Sequence, residues 1–336
     1  MENKIFKINI LIASFDRSEL LKNCLNSIDE NLIELDYCII LLLKESDTKS
    51  KELLENNKYK NLKCIFTEDI PSPGKSRNLL IEQIEDEVKF VNFLDDDVKV
   101  PANYYNKCIA LLTENDIDVL GGPDYYENND NIMQQTHGVL LGNLFVTGPT
   151  YIRHSLNSMK LMKVSEINLT LCNLWIRREI LDSHKFNNQL KRCEENLLLD
   201  QITSANYKLV RSSEIFVYHK RRERILDILS IQYKSGYHRG KTLFLKDAIF
   251  KPFLLIPFFA AIWLHIALLF NIYINLIVLI SYVFILTSII LECLYKTRNM
   301  RSVYYSFFYT LSIHLGFSLG IFYGTIYGYF KRKELE

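Results

Sequence analysis

Formal charge almost disappears from the chain after Lys251. From Pro252 to Tyr295 the only charged side chain is Glu292, and from Val303 to Phe330 there is none, whereas charges run throughout residues 1–250. Phe253–Phe270 and Ile272–Leu291 are apolar runs of roughly 20 residues, the length that crosses a hydrocarbon core. The short link between them predicts a tight hairpin. Lys251 at one end and Lys296, Arg298 and Arg301 at the other place both ends of that hairpin on the cytoplasmic side. Val303–Phe330 is long enough to cross as well, and the expectation is that it does. Such a crossing sets Lys331, Arg332 and Lys333 outside, against the charge rule. Gly316, Gly320, Gly324 and Gly328 recur every fourth residue in this stretch. That spacing lines one helix face with glycine and lets a second helix come close.

The charged part has a different pattern. Lys7–Ala13, Tyr37–Leu43, Leu62–Phe66, Lys89–Leu94 and Asp118–Leu120 read as strands, and Ser18–Asp29 and Gly74–Glu85 between them as helices. Strands alternating with helices predict an α/β fold with a mostly parallel sheet. The unbroken run Cys38–Leu43 fits a strand covered on both faces. Ligands of such sheets bind beyond the carboxyl ends of the strands. Residues 123–165 show weak periodicity and read as long loops. A strand then a helix is expected in Asn168–Ser183, and a helix in Glu194–Ala205. Ile225–Lys246 mixes apolar residues with Lys234, His238, Arg239, Lys241 and Lys246, the composition of a helix lying on an anionic membrane surface.

Composition excludes several classes. Forty basic against 39 acidic residues give a net charge of +1, without the basic excess of a nucleic-acid binder. The seven cysteines form no C-x-x-C pair, so neither a disulfide framework nor a zinc site is expected. Ile8–Ala13 is too short for the core of a signal peptide and runs at once into Asp16 and Arg17, which keeps the N-terminal part in the cytoplasm.

The stretch Phe93-Leu94-Asp95-Asp96-Asp97 carries the strongest chemical signal. An apolar strand ends in three adjacent carboxylates, whose mutual repulsion a cation would relieve. Carboxylate oxygens suit Mg²⁺ or Mn²⁺, which can bridge a diphosphate and neutralise a leaving group. The bland alternative is a solvated turn before Pro101. Glu194 and Glu195 are a second acidic pair, readable either as a helix start favoured by the dipole or as a base.

Taken in order, these and other short motifs resemble the family 2 glycosyltransferases. The residues are Ala13-Ser14-Phe15-Asp16-Arg17, Pro73-Gly74-Lys75-Ser76-Arg77-Asn78, Asp95-Asp96-Asp97, Asn173 with Arg177-Arg178, Phe186-Asn187, Cys193-Glu194-Glu195-Asn196, Tyr218-His219, and Gln232 with Gly236 and Arg239-Gly240. The resemblance implies a nucleotide-binding sheet of the glycosyltransferase A type, inversion at the sugar carbon, and a Mg²⁺ or Mn²⁺ cofactor. It implies donor binding by Ala13, Phe15, Asp16, Arg17, Glu45, Arg77, Asp95 and Asp96. Arg77 would approach the base or the diphosphate. Asp97, with Asp95, would hold the metal, and His219 the metal or the diphosphate. Glu195 or Glu194 would be the general base, Glu195 standing where the family has an aspartate.

Two departures stand out. The second strand ends in Lys44-Glu45 where the family has an aspartate, so Glu45 or Asp47 must substitute for it. The acidic motif is Glu-Glu where Glu-Asp is usual. The expected organisation is a cytoplasmic glycosyltransferase domain at 1–222, an interfacial amphipathic segment at 223–250, and a membrane domain at 251–336 with two or three helices, about 253–270, 272–291 and 303–330. The expected partners are a nucleotide-sugar donor, a lipid-linked or glycan acceptor and membrane lipids, with the catalytic domain facing the cytoplasm at the cytoplasmic membrane. The competing readings are a polyprenyl-phosphate glycosyltransferase that charges the lipid carrier and a non-catalytic nucleotide-binding membrane accessory.

Overall fold

A computed structural model describes residues 7–32, 35–57, 59–156, 160–269 and 271–331. In chain order the elements are β1 (Ile8–Ala13), α1 (Ser18–Asp29), β2 (Tyr37–Lys44), α2 (Thr48–Asn56), β3 (Leu62–Thr67), α3 (Pro73–Ile81) and β4 (Phe90–Leu94). There follow β5 (Val98–Lys99), α4 (Tyr104–Glu114), β6 (Val119–Gly121), β7 (Asp124–Tyr125), α5 (Ile132–Leu141), α6 (Leu144–Thr147), β8 (Met162–Lys163) and β9 (Asn173–Arg177). The remainder is α7 (Ile180–Ser183), α8 (Glu194–Ser204), β10 (Leu209–Arg211), β11 (Val217–His219), α9 (Ile225–Thr242), α10 (Leu255–Ile266), α11 (Ile272–Thr297) and α12 (Arg301–Phe330). The chain forms two compact units, Met1–Tyr125 with Leu156–His219, and Tyr126–Ser155 with Lys220–Glu336.

The first unit is built on a sheet of order β3-β2-β1-β4-β9-β6-β10-β8. β1 pairs in parallel with both β2 and β4, while β9 runs antiparallel between β4 and β6. Alternation along β1 sends Ile8, Ile10 and Ile12 to one apolar layer and Leu11 to the other. Each such side chain, fully buried, contributes on the order of 1.5–3 kcal/mol. The sheet is therefore covered on both faces, as the continuous apolar strands demand.

α3 starts where Ser72 accepts the Lys75 N–H and Pro73 occupies the first turn. It ends at Ile81 rather than at Glu85. The amide N–H of Glu85 donates to Asn9 Oδ1 at 3.0 Å and its carboxylate accepts from Asn9 Nδ2 at 3.1 Å, so β1 captures the segment before another helical turn can form. Gly74 is fixed by packing. A Cβ there would lie 2.2 Å from the carbonyl oxygen of Asn187. A second, smaller sheet joins β5, β11 and β7, with His219 opposite Val98 and Tyr218 opposite Tyr125.

In the second unit, the stretch read as long loops contains α5 and α6. α5 begins in a capping box between Asn131 and Gln134. Seven of its ten residues are buried, polar Gln134, Thr136 and His137 among them. Burial on nearly every side erases the polar face that gives a helix its periodic signature.

The first apolar run is corrected as well. α10 covers only Leu255–Ile266, flanked by short 3-10 turns, and is too short for a crossing by itself. Phe270 of that run lies outside the described residues. α11 and α12 are long and apolar enough to be candidate membrane spans, with mean hydropathy 2.6 and 1.2. Lys251, read from the sequence as the charge flanking the cytoplasmic end of the hairpin, is buried. His265 and His314, which stand alone in the sequence, bond across helices. His265 Nε2 lies 3.0 Å from the Tyr323 hydroxyl and His314 Nδ1 3.0 Å from that of Tyr282. Glu292 accepts from Asn143 Nδ2 at 2.6 Å and pairs with Lys296 at 2.6 Å.

The glycine face of α12 does receive a helix, and that helix is α9. A Cβ at Gly320 would fall 2.2 Å from the Tyr233 carbonyl oxygen, and one at Gly324 2.0 Å from that of Tyr237. The fit is reciprocal: at Gly236 of α9 a Cβ would meet the Phe317 carbonyl at 2.3 Å.

Candidate active site

β4 is buried along its whole length and delivers Asp95, Asp96 and Asp97 beyond its carboxyl end. The three carboxylates meet different surroundings. Asp96 is buried, accepts from Ser14 Oγ at 2.7 Å and pairs with Arg17 Nη1 at 2.6 Å. Burial pushes its carboxyl up to about 6, against the pull of Arg17 and Ser14. Asp97 is shared between Arg17 Nη2 and His219 Nε2, the latter at 3.2 Å. Burial alone would raise Asp97, but the His219 hydrogen bond and the two cations hold it well below the usual carboxylate range. Asp95 is the more open, with Arg77 Nη2 3.6 Å away.

Two basic residues thus tie the aspartates to other motifs. Arg17 follows β1 directly, the neighbour of β4, and so meets Asp96 and Asp97 by sheet order. Arg77 rises from α3 and places Nη1 2.6 Å from Glu194 Oε1 at the start of α8. Glu194 is buried, and its Oε2 has no hydrogen-bond partner. Burial, then the adjacent Glu195, push it up to about 7 despite Arg77. Glu195, next in the chain, is partly exposed. Cys193 holds a left-handed conformation, φ 64°, that turns the chain into α8 just before the pair.

His219 reaches the cluster through the small sheet. Its Nδ1 lies 2.9 Å from Asp124 Oδ2 and its Nε2 faces Asp97. Burial opposes its protonation, but the bonds to Asp124 and Asp97 outweigh that and raise its pKa well above the ordinary value. Asp124 and Cys172 were not singled out from the sequence. With His219 they form a group close enough to share an ion. Burial pushes the Cys172 thiol up to about 11, and soft sulfur is a poor donor for Mg²⁺ or Mn²⁺. Asp95 and Asp97 offer the oxygen donors that Mg²⁺ or Mn²⁺ prefers, and a cation there would displace the proton from His219 Nε2 while Nδ1–H stays on Asp124. Gly121-Gly122-Pro123 at the end of β6 was the available signal for Asp124, a turn at a strand's carboxyl end. A Cβ at Gly122 would lie 1.5 Å from the Ile215 carbonyl oxygen.

The remaining candidates are placed as follows. Ala13 closes β1 and Phe15 packs on the apolar layer below it. Asp16 adopts φ 57°, and its N–H donates to Asp47 Oδ2 at 3.0 Å. Asp47 also caps α2 through Ser50, so that carboxylate is occupied. Glu45, at the end of β2, is exposed. Among the motif residues, Asn173 is structural: it donates to the carbonyls of Pro123 and Ile215 and accepts from the Tyr104 hydroxyl. Arg177 pairs with Asp118, and Arg178 with Asp182.

A mostly parallel sheet that presents an aspartate cluster beyond its central strand defines an α/β protein of the glycosyltransferase A type. The family described as Glycosyl transferase family 2 matches residues 9–184, and the chain belongs to that family. No curated protein matches the sequence. Among solved structures, the chain is similar to the mannosyltransferase PcManGT of Pyrobaculum calidifontis in complex with GDP-Man and Mn²⁺, with TM-score 0.57, 10% identity, and coverage of 92% of this chain and 86% of that one. It is also similar to residues 1–349 of S. aureus TarS in complex with UDP, with TM-score 0.52, 15% identity, and coverage of 94% and 90%.

Proposed function

We propose that this glycosyltransferase is membrane-bound and inverting, and moves a sugar from a nucleotide-sugar donor to a lipid-linked or membrane-proximal glycan acceptor in surface polysaccharide or glycoconjugate synthesis. The observation that carries the reading is the joining of Asp95–Asp97 to Arg17, to His219 and, through Arg77, to the glutamate pair of α8. Those contacts gather the residues that this reading assigns to donor and base into one charged cluster at the carboxyl end of the sheet.

In this reading Ala13, Phe15, Asp16, Arg17, Glu45, Asp95 and Asp96 surround the nucleotide. Mg²⁺ or Mn²⁺ bound by Asp97, Asp95 and His219 would supply charge neutralisation at the diphosphate leaving group. Arg17 and Arg77 are further positive charges beside that diphosphate. Glu194 is held by Arg77, and its partly exposed neighbour Glu195 accepts the acceptor's hydroxyl proton as the oxygen attacks the anomeric carbon. The new C–O bond forms as the bond to the diphosphate breaks, and the nucleoside diphosphate leaves. The apolar α10–α11 hairpin enters the cytoplasmic membrane and returns, keeping the catalytic unit on the cytoplasmic face. The complexes of neighbouring folds with UDP and with GDP-Man and Mn²⁺ agree with a nucleotide-sugar donor.

The test is donor screening with the purified full chain. UDP- and GDP-sugars are offered with Mg²⁺, with Mn²⁺ and with EDTA, and release of nucleoside diphosphate is measured. Release from one donor class, abolished by EDTA and restored by metal, is expected. Undiminished release in EDTA overturns the metal's part, and no release from any nucleotide sugar overturns the donor reading.

A further inference from the structure

His219 has a different set of partners at each of its two ring nitrogens. Its Nε2 faces Asp97 at 3.2 Å, and its Nδ1 lies 2.9 Å from Asp124 Oδ2. Cys172 joins the second set. One donor atom each from Asp124, Cys172 and His219 lies within 4.8 Å of the other two. All three sit on fixed backbone. Asp124 and His219 belong to β7 and β11, paired strands in which Val217 is opposite Asp124. Cys172 immediately precedes β9 of the main sheet, and its Sγ lies 3.4 Å from Thr170 Oγ1. Asp124 and Cys172 are buried, while the His219 side chain is 24% exposed, so an ion can reach the group past the imidazole.

The donor set decides which ion fits. Mg²⁺ and Mn²⁺ take oxygen, and Asp95 and Asp97 supply it. A sulfur beside an imidazole and a carboxylate is a set for Zn²⁺, three protein ligands with a fourth position left to water. The spacing suits it. Zinc bonds of about 2.0–2.3 Å set the corners of a tetrahedron roughly 3.3–3.7 Å apart. Nδ1 and Asp124 Oδ2, at 2.9 Å, need to part only slightly. Zinc then replaces the Nδ1 proton and the Cys172 thiol proton, and both protons leave to solvent.

The consequence falls on the other nitrogen. A neutral imidazole carries one proton and one lone pair. With Nδ1–H on Asp124, the lone pair of Nε2 is available to a cation at Asp97. With Nδ1 on zinc, the proton sits on Nε2, which donates to Asp97 and has no lone pair to give.

We propose that Asp124, Cys172 and His219 form a second metal site, one that takes Zn²⁺, and that zinc there inhibits the enzyme by withdrawing the His219 lone pair from the cation at Asp97. The site stands on its own ligands, and only its inhibitory effect rests on the role proposed above for His219. The two ions are coupled reciprocally, so zinc weakens Mn²⁺ binding and Mn²⁺ weakens zinc binding. The sequence shows no zinc-ligand spacing because the three ligands come from three separate strands or their edges.

Co²⁺, a spectroscopic stand-in for Zn²⁺, tests the site in the full chain in detergent, stripped of metal. Thiolate ligation gives a sulfur-to-cobalt charge-transfer band in the near ultraviolet. The native chain is expected to develop that band and to lose it on addition of Zn²⁺ but not of Mg²⁺. Cys172→Ser is expected to lack it. X-ray absorption at the zinc edge reads the native chain without a variant, and a shell containing one sulfur is expected for one bound Zn²⁺. A band unchanged in Cys172→Ser, or a zinc shell of nitrogen and oxygen alone, overturns the site. Inhibition is read separately, from the Mn²⁺ concentration that gives half-maximal release of nucleoside diphosphate. Zinc is expected to raise it by about 10- to 100-fold in the native chain, the size of loss seen when the contacts of a metal-bound histidine are disturbed, and to leave it unchanged in Cys172→Ser. Filling of the site with no change in Mn²⁺ dependence overturns the inhibition. Neither spectroscopic reading needs a donor, so failure of the nucleotide-sugar reading is told apart from failure of the zinc site.

Discussion

Arg77 and Glu194 are 117 positions apart in the chain and 2.6 Å apart in the fold. The same guanidinium lies 3.6 Å from Asp95, so one side chain spans the Asp95–Asp97 cluster and the Glu194–Glu195 pair. Removing it should leave Glu194 buried and uncompensated. Arg77→Leu is expected to cost about 3–5 kcal/mol of stability. Arg77→Leu combined with Glu194→Leu should cost clearly less than the sum of the single changes, because the pair is lost together. Thermal melts of the four chains in detergent measure this, and strict additivity counts against the pair.

The same glutamate gives a pH dependence. Glu194 is pushed from 4.5 up to about 7, so the folded chain holds its proton more tightly than the unfolded chain does. The stabilising contribution is complete below the unfolded value and is lost as pH rises through the folded one. Glu194→Gln has no such loss. Its stability should therefore gain on the native chain between about pH 5 and about pH 8, by up to about 3 kcal/mol. A difference in Tm that stays constant across that range contradicts the assignment.

Asp97→Ala should abolish transfer while leaving the fold intact, since Asp97 sits at the edge of the sheet's ligand side and not in the apolar layers. Circular dichroism and turnover, read on the same preparation, check both halves. Full turnover by this variant removes Asp97 from the mechanism.

The glutamates should separate in a kinetic comparison. Glu195→Gln is expected to lower turnover by about 10² to 10⁴, the usual contribution of a positioned base, with donor affinity retained. Should both Glu195→Gln and Glu194→Gln turn over normally, the acceptor needs no deprotonation, and a phosphate acceptor such as a lipid-carrier phosphate becomes the better account.

Asp124→Asn should act through His219. An amide can still accept from Nδ1 but no longer carries the charge that fixes the imidazole. The concentration of Mn²⁺ giving half-maximal donor binding is expected to rise by about 10- to 100-fold, as for other partners of metal-bound histidines. A shift in turnover with no shift in metal dependence contradicts a positioning role.

Much of the first unit was legible because its physics is local. Tyr37–Leu43 is an unbroken apolar run, and Ser18–Asp29 is an amphipathic helix. The aspartates could be read because they end an apolar strand. What escaped was nonlocal. Asp124 matters only because a two-residue strand sets it beside His219, 95 positions away, and no period marks so short an element. α5 escaped because burial on most sides removed its polar face. The glycines of α12 announced a close neighbour, but only the fold names α9 as that neighbour.

The boundaries of the two units have a practical side. The chain leaves the first unit at Tyr125 and again at His219, the last residues of β7 and β11, which lie next to each other as paired strands. A cut after His219 therefore does not release a clean soluble enzyme, because it keeps Tyr126–Ser155 and discards the helices around which Leu140 and Val146 are buried. Excising the catalytic part takes two incisions and a bridge from Tyr125 to Leu156, across the paired ends of β7 and β11.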